Sequence, residues 1–261
     1  MTVGSQARSP GPIGVEMDLT RELVREQLFG EPRDRLRIGR YEPRRRIGRG
    51  GAGVVYEAFD PALQRNVAVK VLWAAGGGGS DGDTSRVRRE AQALAQIDHP
   101  NIVHVFDVGE VDSFGPTATR VVYIAMELVD GASLREVADG RPIAFARARP
   151  WILAMARGLA VAHAAGIVHR DFKPENVLLA RDARGSYDDA RVLVADFGLA
   201  RALGDASLEA SRARSHGSGA PTVSGRIAGT PGFIAPEVLD GAVPDVRSDQ
   251  FAFFVTVYEL L

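Results

Sequence analysis

The chain has 261 residues, enough for one large domain or two small ones, and it is 45% apolar and 25% charged, as ordinary globular proteins are. Its 32 basic and 33 acidic residues leave a net charge of −1, which argues against nucleic acid as the main partner. The chain has no cysteine, which excludes disulfides and thiol catalysis, and it shows neither an apolar span nor a signal peptide. We therefore expect a cytoplasmic protein with no membrane span and no nucleic-acid partner.

The first forty residues predict an N-terminal extension, 1–40, that is partly disordered and contains a possible helix between Met17 and Leu28. From residue 41 the pattern changes to short apolar segments typical of strands, interrupted by one helix. The predicted strands cover 54–59 and 67–72, the helix covers 85–97, and two further apolar segments cover 102–108 and 120–129.

Beyond Gly131 the apolar spacing becomes helical. The predicted helices cover 148–165 and 248–261; between them lie two short apolar runs, 177–180 and 192–195, and a long loop over 202–229. This order predicts a sheet-rich lobe at 41–125, a hinge at 126–131 and a helical lobe at 132–261.

Only two of the basic residues are lysines, Lys70 and Lys173, whereas the other 30 are arginines. A coding bias toward arginine explains the 30 but not the two exceptions. Lysine is a compact point charge and arginine a planar fork, so the two are not interchangeable at a functional site. Chance survival explains two lysines equally well at this point, but their positions are the first candidates for chemistry.

Three glycines, Gly48, Gly50 and Gly53, have the spacing Gly-x-Gly-x-x-Gly between two predicted strands. Without a Cβ, such residues allow backbone N–H groups to approach a polyphosphate closely. A dinucleotide-binding unit would need a helix directly after the glycines, whereas Val54 and Val55 favour a strand. Lys70 lies in the next predicted strand, 67–72, where it would reach the phosphates.

The segment from His169 to Asn176 holds the densest group of polar residues in the chain. Asp171 is placed to accept the proton of an attacking hydroxyl, and Lys173 to neutralise charge on the transferred group. Asn176, and Asp196 after the next apolar run, offer oxygen ligands to a hard cation such as Mg²⁺. Glu90 is the candidate carboxylate partner of Lys70, although a solvated helix charge is the simpler interpretation of Glu90 alone.

Together these motifs resemble those of protein kinases, in particular bacterial serine/threonine kinases of the eukaryotic-like (Hanks) type. The resemblance covers residues 41–261, and both rare lysines fall on its motif positions. Its five motifs are the glycine loop at 48–55, Val-Ala-Val-Lys at 67–70, His-Arg-Asp at 169–171 with Asn176, Asp-Phe-Gly at 196–198 and Ala-Pro-Glu at 235–237. It implies an α+β, bilobal protein-kinase fold, with a small β-rich N-lobe that contains one helix and a helical C-lobe.

The resemblance also implies a function, namely transfer of the γ-phosphoryl group of ATP, with Mg²⁺, to Ser/Thr hydroxyls of protein substrates. Lys70 would hold the phosphates and pair with Glu90, Asp171 would be the catalytic base with Lys173 beside it, and Asn176 and Asp196 would bind magnesium. The nucleotide would contact Ile47, Gly48, Gly50, Gly53, Val55, Ala68, Lys70, Met126, Glu127, Val129 and Leu178. A stack of Leu94, Val105, His169 and Phe197, anchored by Asp249, would align the lobes.

Specificity and regulation are implied by further positions. Lys173, two residues after Asp171, and Thr230, before the Ala-Pro-Glu motif, favour serine/threonine over tyrosine substrates. Arg170 would meet a phosphate added to the activation loop by autophosphorylation. The candidate phosphorylation sites are Thr222 and Ser224, then Ser215 and Ser218, although all four are also compatible with ordinary linker hydroxyls.

The chain departs from the family pattern at its end. In the family the helical lobe continues beyond the helix that carries Asp249, so we expect this lobe to be incomplete and Phe251, Phe253 and Phe254 to lose part of their packing. Two other functions therefore stay open. One is an inactive kinase-like fragment or scaffold that binds ATP without phosphotransfer, and the other is a small-molecule kinase on a related fold.

Overall fold

The computed structural model describes residues 37–50, 53–72, 81–112, 120–198 and 231–261. They form a small lobe, with a five-stranded sheet and one helix, and a larger helical lobe that carries a three-stranded sheet. This arrangement confirms the α+β, two-lobed architecture predicted from the sequence. Residues 1–36 of the N-terminal extension, positions 51 and 52 of the glycine loop, and the segment 199–230 with its four candidate phosphorylation sites and Thr230 lie outside the described residues.

The sheet of the small lobe is antiparallel throughout, in the order β1-β2-β3-β5-β4. Its valine-rich strands suit a pleated, largely buried surface, because β-branched side chains pack well there. Ile38 and Tyr41 are buried in the core on one side of this sheet, so the packing of the lobe begins before the predicted boundary at residue 41. The strands are β1 (Glu42–Gly50), β2 (Gly53–Asp60), β3 (Arg65–Leu72), β4 (Val105–Asp112) and β5 (Arg120–Met126).

Among the described residues, the helix of the small lobe is α1 (Asp81–Leu94), which packs against β4 and β5. It begins and ends earlier than the predicted 85–97. At its end the chain continues through tighter turns, in which the Gln96 N–H donates to Ala93 O and the Ile97 N–H donates to Leu94 O. Such i→i−3 bonds commonly close a helix, and apolar spacing does not distinguish them from a further helical turn.

The larger lobe begins with two short elements that the sequence did not predict, β6 (Gly131–Ser133) and α2 (Leu134–Ala138). Both are too short to show a hydrophobic period. The start of α2 is nevertheless well defined, because Ser133 and Glu136 form a capping box in which each side chain binds the backbone N–H of the other. The other elements of this lobe are α3 (Phe145–Ala164), β7 (Val177–Ala180), β8 (Arg191–Val194), α4 (Pro236–Leu239) and α5 (Val246–Leu260).

Helix α5 has two different faces. Its first turn is capped by Asp245, which accepts hydrogen bonds from the Arg247 and Ser248 N–H groups and so places Asp249 one turn into the helix, on the buried side. On the opposite side Phe254 and Tyr258 are 67% and 85% exposed. Along the parts of the chain that the structure describes, we find no helix with the length and apolar character needed to cross a bilayer.

The two lobes are joined through the segment that precedes β4. The predicted strand 102–108 divides there. Ile102 bridges to Val194 at the end of β8, with Val103 N–H donating to Val194 O at 3.0 Å and Val194 N–H donating to Asn101 O at 2.9 Å. A single hydrophobic cluster continues from Leu94 of the small lobe to Phe197 and α3 of the larger lobe.

A close contact between α3 and this connection yields a stability prediction. A Cβ added at Gly158 would lie 2.6 Å from Asn101 O and 3.0 Å from a Val194 methyl group. Helix propensity alone predicts that Gly158→Ala stabilises α3. We expect the opposite sign, a loss of about 1–3 kcal/mol, because overpacking against backbone forces the elements apart. Urea unfolding measures the difference, with Gly232→Ala as the control, since a Cβ there meets nothing within 4 Å. A Gly158→Ala protein as stable as its parent would contradict this packing.

Candidate active site

The segment His169–Asn176 leaves α3 and enters β7, and one buried carboxylate holds its first residues. Asp249, 1% exposed, accepts the His169 N–H at 2.7 Å and the Arg170 N–H at 2.8 Å, and its Oδ2 lies 2.8 Å from His163 Nε2. Arg170 has φ +64°, in the left-handed region that a residue with a side chain rarely adopts. The hydrogen bonds that Asp249 accepts explain how Arg170 keeps this conformation, because a strained backbone persists only where several surrounding contacts hold it.

Asp171, the candidate base, is bound on both sides by residues of its own loop. Lys173 Nζ lies 2.9 Å from Asp171 Oδ2. Asn176 Nδ2 donates to Asp171 O at 2.7 Å and to Oδ2 at 3.3 Å. The Lys173 ammonium thus lies beside the carboxylate that would accept a proton from a substrate hydroxyl.

Asp196 follows β8 and forms an ion pair with Lys70, with Nζ 2.9 Å from Oδ1. Like Arg170 it lies in the left-handed region, at φ +56°. Burial raises the pKa of this carboxyl, but the charge and hydrogen bond of Lys70 outweigh it, so that the pKa lies below its usual value. Asp196 is therefore ionised at neutral pH, as a metal ligand must be.

Strand pairing brings the two candidate metal ligands to neighbouring positions. Val177 of β7 pairs with Val194 of β8, and just beyond this pair the Ala195 N–H donates to Asn176 O at 2.8 Å. The residue after Ala195 is Asp196. Because the amide nitrogen of Asn176 binds Asp171, its oxygen is the atom left for a cation. An amide oxygen beside a carboxylate fits Mg²⁺, which prefers hard oxygen ligands and retains several waters.

Lys70 lines a small, mainly apolar cavity that residues of both lobes border. The register places Lys70 of β3 between Val55 of β2 and Ile124 of β5. Three members of the predicted stack, Leu94, Val105 and Phe197, line the cavity together with Asp196. The fourth, His169, contacts Phe197, with ring centroids 4.7 Å apart. The structure therefore brings the stack together in one connected row.

The residues expected around the nucleotide lie on β1, β2, β3 and β5 of the small lobe, in the segment that follows β5, and on β7. Ala68 is opposite Met126, and Val55 is on the strand beside them. Met126, Val129 and Leu178 pack on the small cluster of Val103, Leu193 and Ala195. Ile47, on β1, is 38% exposed. Gly48 and Val55 are direct neighbours across the β1–β2 pair, and Gly50 is opposite Gly53.

One backbone group of the hinge segment already has a hydrogen-bond partner within the chain. The Glu127 N–H donates to His104 O at 2.9 Å, so this N–H is already used within the chain. The Glu127 side chain forms an ion pair with Arg191 at the start of β8. Sequence reasoning did not anticipate this pair, because the two residues are 64 positions apart.

One predicted contact is wrong for this conformation. Glu90 does not pair with Lys70. Both carboxylate oxygens of Glu90 lie 3.2 Å from Nη1 of Arg170. Lys70 forms an ion pair with Asp196 instead. Arg170 had been expected to meet a phosphate on the activation loop. The Arg170–Glu90 ion pair thus joins the two lobes, and it occupies the guanidinium expected to bind a phosphate and the carboxylate expected to bind Lys70.

His169 is a neutral imidazole with a defined tautomer. It is fully buried, and burial lowers its pKa from the ordinary value of 6.5 despite the nearby carboxylates of Asp249 and Asp171. Its Nε2 lies 3.0 Å from Ala195 O, an acceptor, so Nε2 carries the proton. Its Nδ1 then accepts the Asp171 N–H at 3.3 Å. The imidazole thus connects the backbone beside Asp196 to the backbone of Asp171.

Comparison with known proteins identifies the family. The sequence-family model described as the protein kinase domain matches residues 41–261 of the chain. The chain belongs to the protein kinase family. It is 39% identical over 226 residues to the probable serine/threonine-protein kinase SCO3848 of Streptomyces coelicolor and 39% identical over 224 residues to the serine/threonine-protein kinase pkn2 of Myxococcus xanthus. In both cases 85% of the chain is covered.

The kinase domain also resembles solved structures. The crystal structure of the Mycobacterium tuberculosis PknI kinase domain matches with a TM-score of 0.61 and 28% identity, over 86% of this chain and 75% of that chain. The chain spans only 30% of the length of SCO3848 and 24% of that of pkn2. What the resemblance implied about family and fold is confirmed, whereas the activity and the role of each residue are matters for experiment.

The buried imidazole of the kinase domain predicts a pH-dependent stability. The pKa of His169 in the folded chain lies below 6.5, the ordinary value of the unfolded chain. As the pH falls through 6.5, the unfolded chain therefore binds a proton at this residue, whereas the folded chain does not. The free energy of unfolding should therefore decrease below pH 6.5, with a slope of at most about 1.4 kcal/mol per pH unit from this group.

Denaturant unfolding between pH 7.5 and 5 measures this slope, which His169→Gln should reduce. The control is His104→Gln, since the His104 side chain is 41% exposed. Equal slopes for the parent and His169→Gln would show that this imidazole does not limit stability in acid.

Proposed function

We propose that the protein is a serine/threonine protein kinase that transfers the γ-phosphoryl group of ATP to Ser/Thr hydroxyls of protein substrates and uses Mg²⁺. The observation that carries this proposal is that Asn176 connects two ion pairs, Lys70–Asp196 and Lys173–Asp171. Its side chain binds the Asp171 carboxylate, and its carbonyl accepts the Ala195 N–H directly before Asp196. Sequence relatives that are named serine/threonine-protein kinases add support.

In the proposed reaction the substrate hydroxyl oxygen attacks the γ-phosphorus, the bond to the bridging oxygen of ADP breaks, and the hydroxyl proton passes to Asp171. Lys173 neutralises charge on the transferred group, and Lys70 binds the phosphates. Asn176 and Asp196 would hold Mg²⁺, which would supply positive charge to offset that of the phosphates. The remaining contribution of the chain is positioning and electrostatic stabilisation.

Two substitutions test these roles. Asp171→Asn removes the base and Lys70→Met removes the phosphate-binding charge, and each should lower kcat by about 10²–10⁴-fold with the fold retained. A radiolabelled phosphotransfer assay on a generic basic protein measures turnover, and circular dichroism checks the fold. Asp139→Asn is the control, because Asp139 is exposed at the end of α2. Variants that retain near-parental turnover would refute the role assignments.

A nonenzymatic scaffold remains the second candidate, and the pairing of Glu90 with Arg170 rather than with Lys70 is the observation that favours it. A scaffold would bind ATP without phosphotransfer. Nucleotide-binding titration beside the radiolabel assay separates the two functions. Phosphate transfer to free sugars or antibiotics, with none to protein, would indicate a small-molecule kinase instead.

We further propose that the kinase phosphorylates its own activation loop and that the new phosphate competes with Glu90 for Arg170. After incubation with ATP and Mg²⁺, mass spectrometry should find phosphate on Thr222 or Ser224, and less on Ser215 or Ser218. Asp171→Asn protein treated in the same way should stay unmodified. Active kinase with all four hydroxyls unmodified would refute autophosphorylation of this loop.

A further inference from the structure

Arg135, on the short helix α2, connects three elements that are distant in sequence. Its Nε donates to Glu175 Oε1 at 2.9 Å, and its Nη2 donates to Glu259 Oε2 at 2.8 Å. Glu175 lies in the 3₁₀ turn of the loop that carries Asp171, and Glu259 lies in the last turn of α5. The planar guanidinium suits this bridge, because it can bind two carboxylates at once.

The bridge matters more for geometry than for stability. All three side chains are between 37% and 42% exposed, and half-exposed ion pairs contribute little to the free energy of unfolding. Without the guanidinium, however, Glu175 and Glu259 would be two like charges facing each other across its former position. The loop would then move to separate them.

A shift at Glu175 would reach the proposed site within one residue. Asn176 comes next in the chain, and its Nδ2 binds both the backbone and the carboxylate of Asp171. The carbonyl of Asn176 binds the Ala195 N–H, directly before Asp196. The proposed base and both proposed metal ligands therefore depend on where Glu175 is held.

We propose that Arg135 is a positioning residue for the catalytic loop, which it holds through Glu175 and Asn176. The proposal rests on the proposed kinase function for its turnover measurements, but the geometry it describes also governs Mg²⁺-dependent nucleotide binding. Nothing in the local sequence of α2 indicates this role, since Glu175 and Glu259 are 40 and 124 residues away.

The test is Arg135→Met, which removes the charge and keeps a long unbranched side chain. We expect kcat to fall about fivefold, equivalent to about 1 kcal/mol, while KM for ATP stays within about twofold because the substitution does not touch the nucleotide cleft. The Mg²⁺ concentration that gives half-maximal ADP binding should rise by a similar factor of about five.

Rescue distinguishes positioning from a general loss of stability. Glu259→Gln in the Arg135→Met protein removes the repulsion on Glu175 and should restore most of kcat and of the Mg²⁺ response. The matched control is Arg147→Met, because Arg147 also forms a half-exposed ion pair, with Asp188 at 2.9 Å, but on α3 and without a contact to the loop. It should leave both measurements unchanged.

Parental kcat and Mg²⁺ dependence in Arg135→Met would overturn the proposal, as would a defect that Glu259→Gln leaves uncorrected. A parent chain without phosphotransfer would refute the proposed function instead. Mg²⁺-dependent ADP binding by Arg135→Met, with and without Glu259→Gln, would still decide the role of Arg135 in that case.

Discussion

The geometry of the site depends on one buried carboxylate, that of Asp249. A buried charge is expensive unless it is fully hydrogen-bonded, and Asp249 meets this condition by binding two backbone N–H groups and the His163 ring. The same bonds hold Arg170 in a left-handed conformation and so determine the direction in which the loop leaves α3. Because α5 carries Asp249 in a capped first turn, the loop that carries Asp171 is positioned by a helix.

The second constraint is the β7–β8 pair. It begins directly after Asn176 and ends directly before Ala195 and Asp196, so the two proposed metal ligands lie at the same end of this strand pair. The His169 imidazole connects the backbone beside these residues, because its Nε2–H donates to Ala195 O and its Nδ1 accepts the Asp171 N–H. Backbone pairing thus sets the spacing of three polar side chains that are up to 25 residues apart, whereas side-chain contacts such as Lys173–Asp171 adjust their charge.

The sequence was sufficient to predict the family, the two lobes and most strands and long helices, because the motifs are local and the apolar periods are regular. It was insufficient wherever a contact joins distant residues of ordinary type. The Glu127–Arg191 pair, the Arg135 bridge and the Glu90–Arg170 pair have no local signature, since each consists of common charged residues on separate elements. Helix boundaries such as that of α1 depend on terminal turns, which apolar spacing cannot resolve.

The charges of the cleft are satisfied within the chain itself. Lys70 with Asp196, Lys173 with Asp171 and Arg170 with Glu90 are three pairs, each between an acid and a base. A nucleotide that binds Lys70 must therefore separate it from Asp196, and a cation at Asp196 would offset that loss. Under the proposed function, phosphates and a cation that bind together would exchange one set of pairs for another, so that each charge would keep a partner. The pairs of this conformation would then favour joint binding of nucleotide and metal over the binding of either alone.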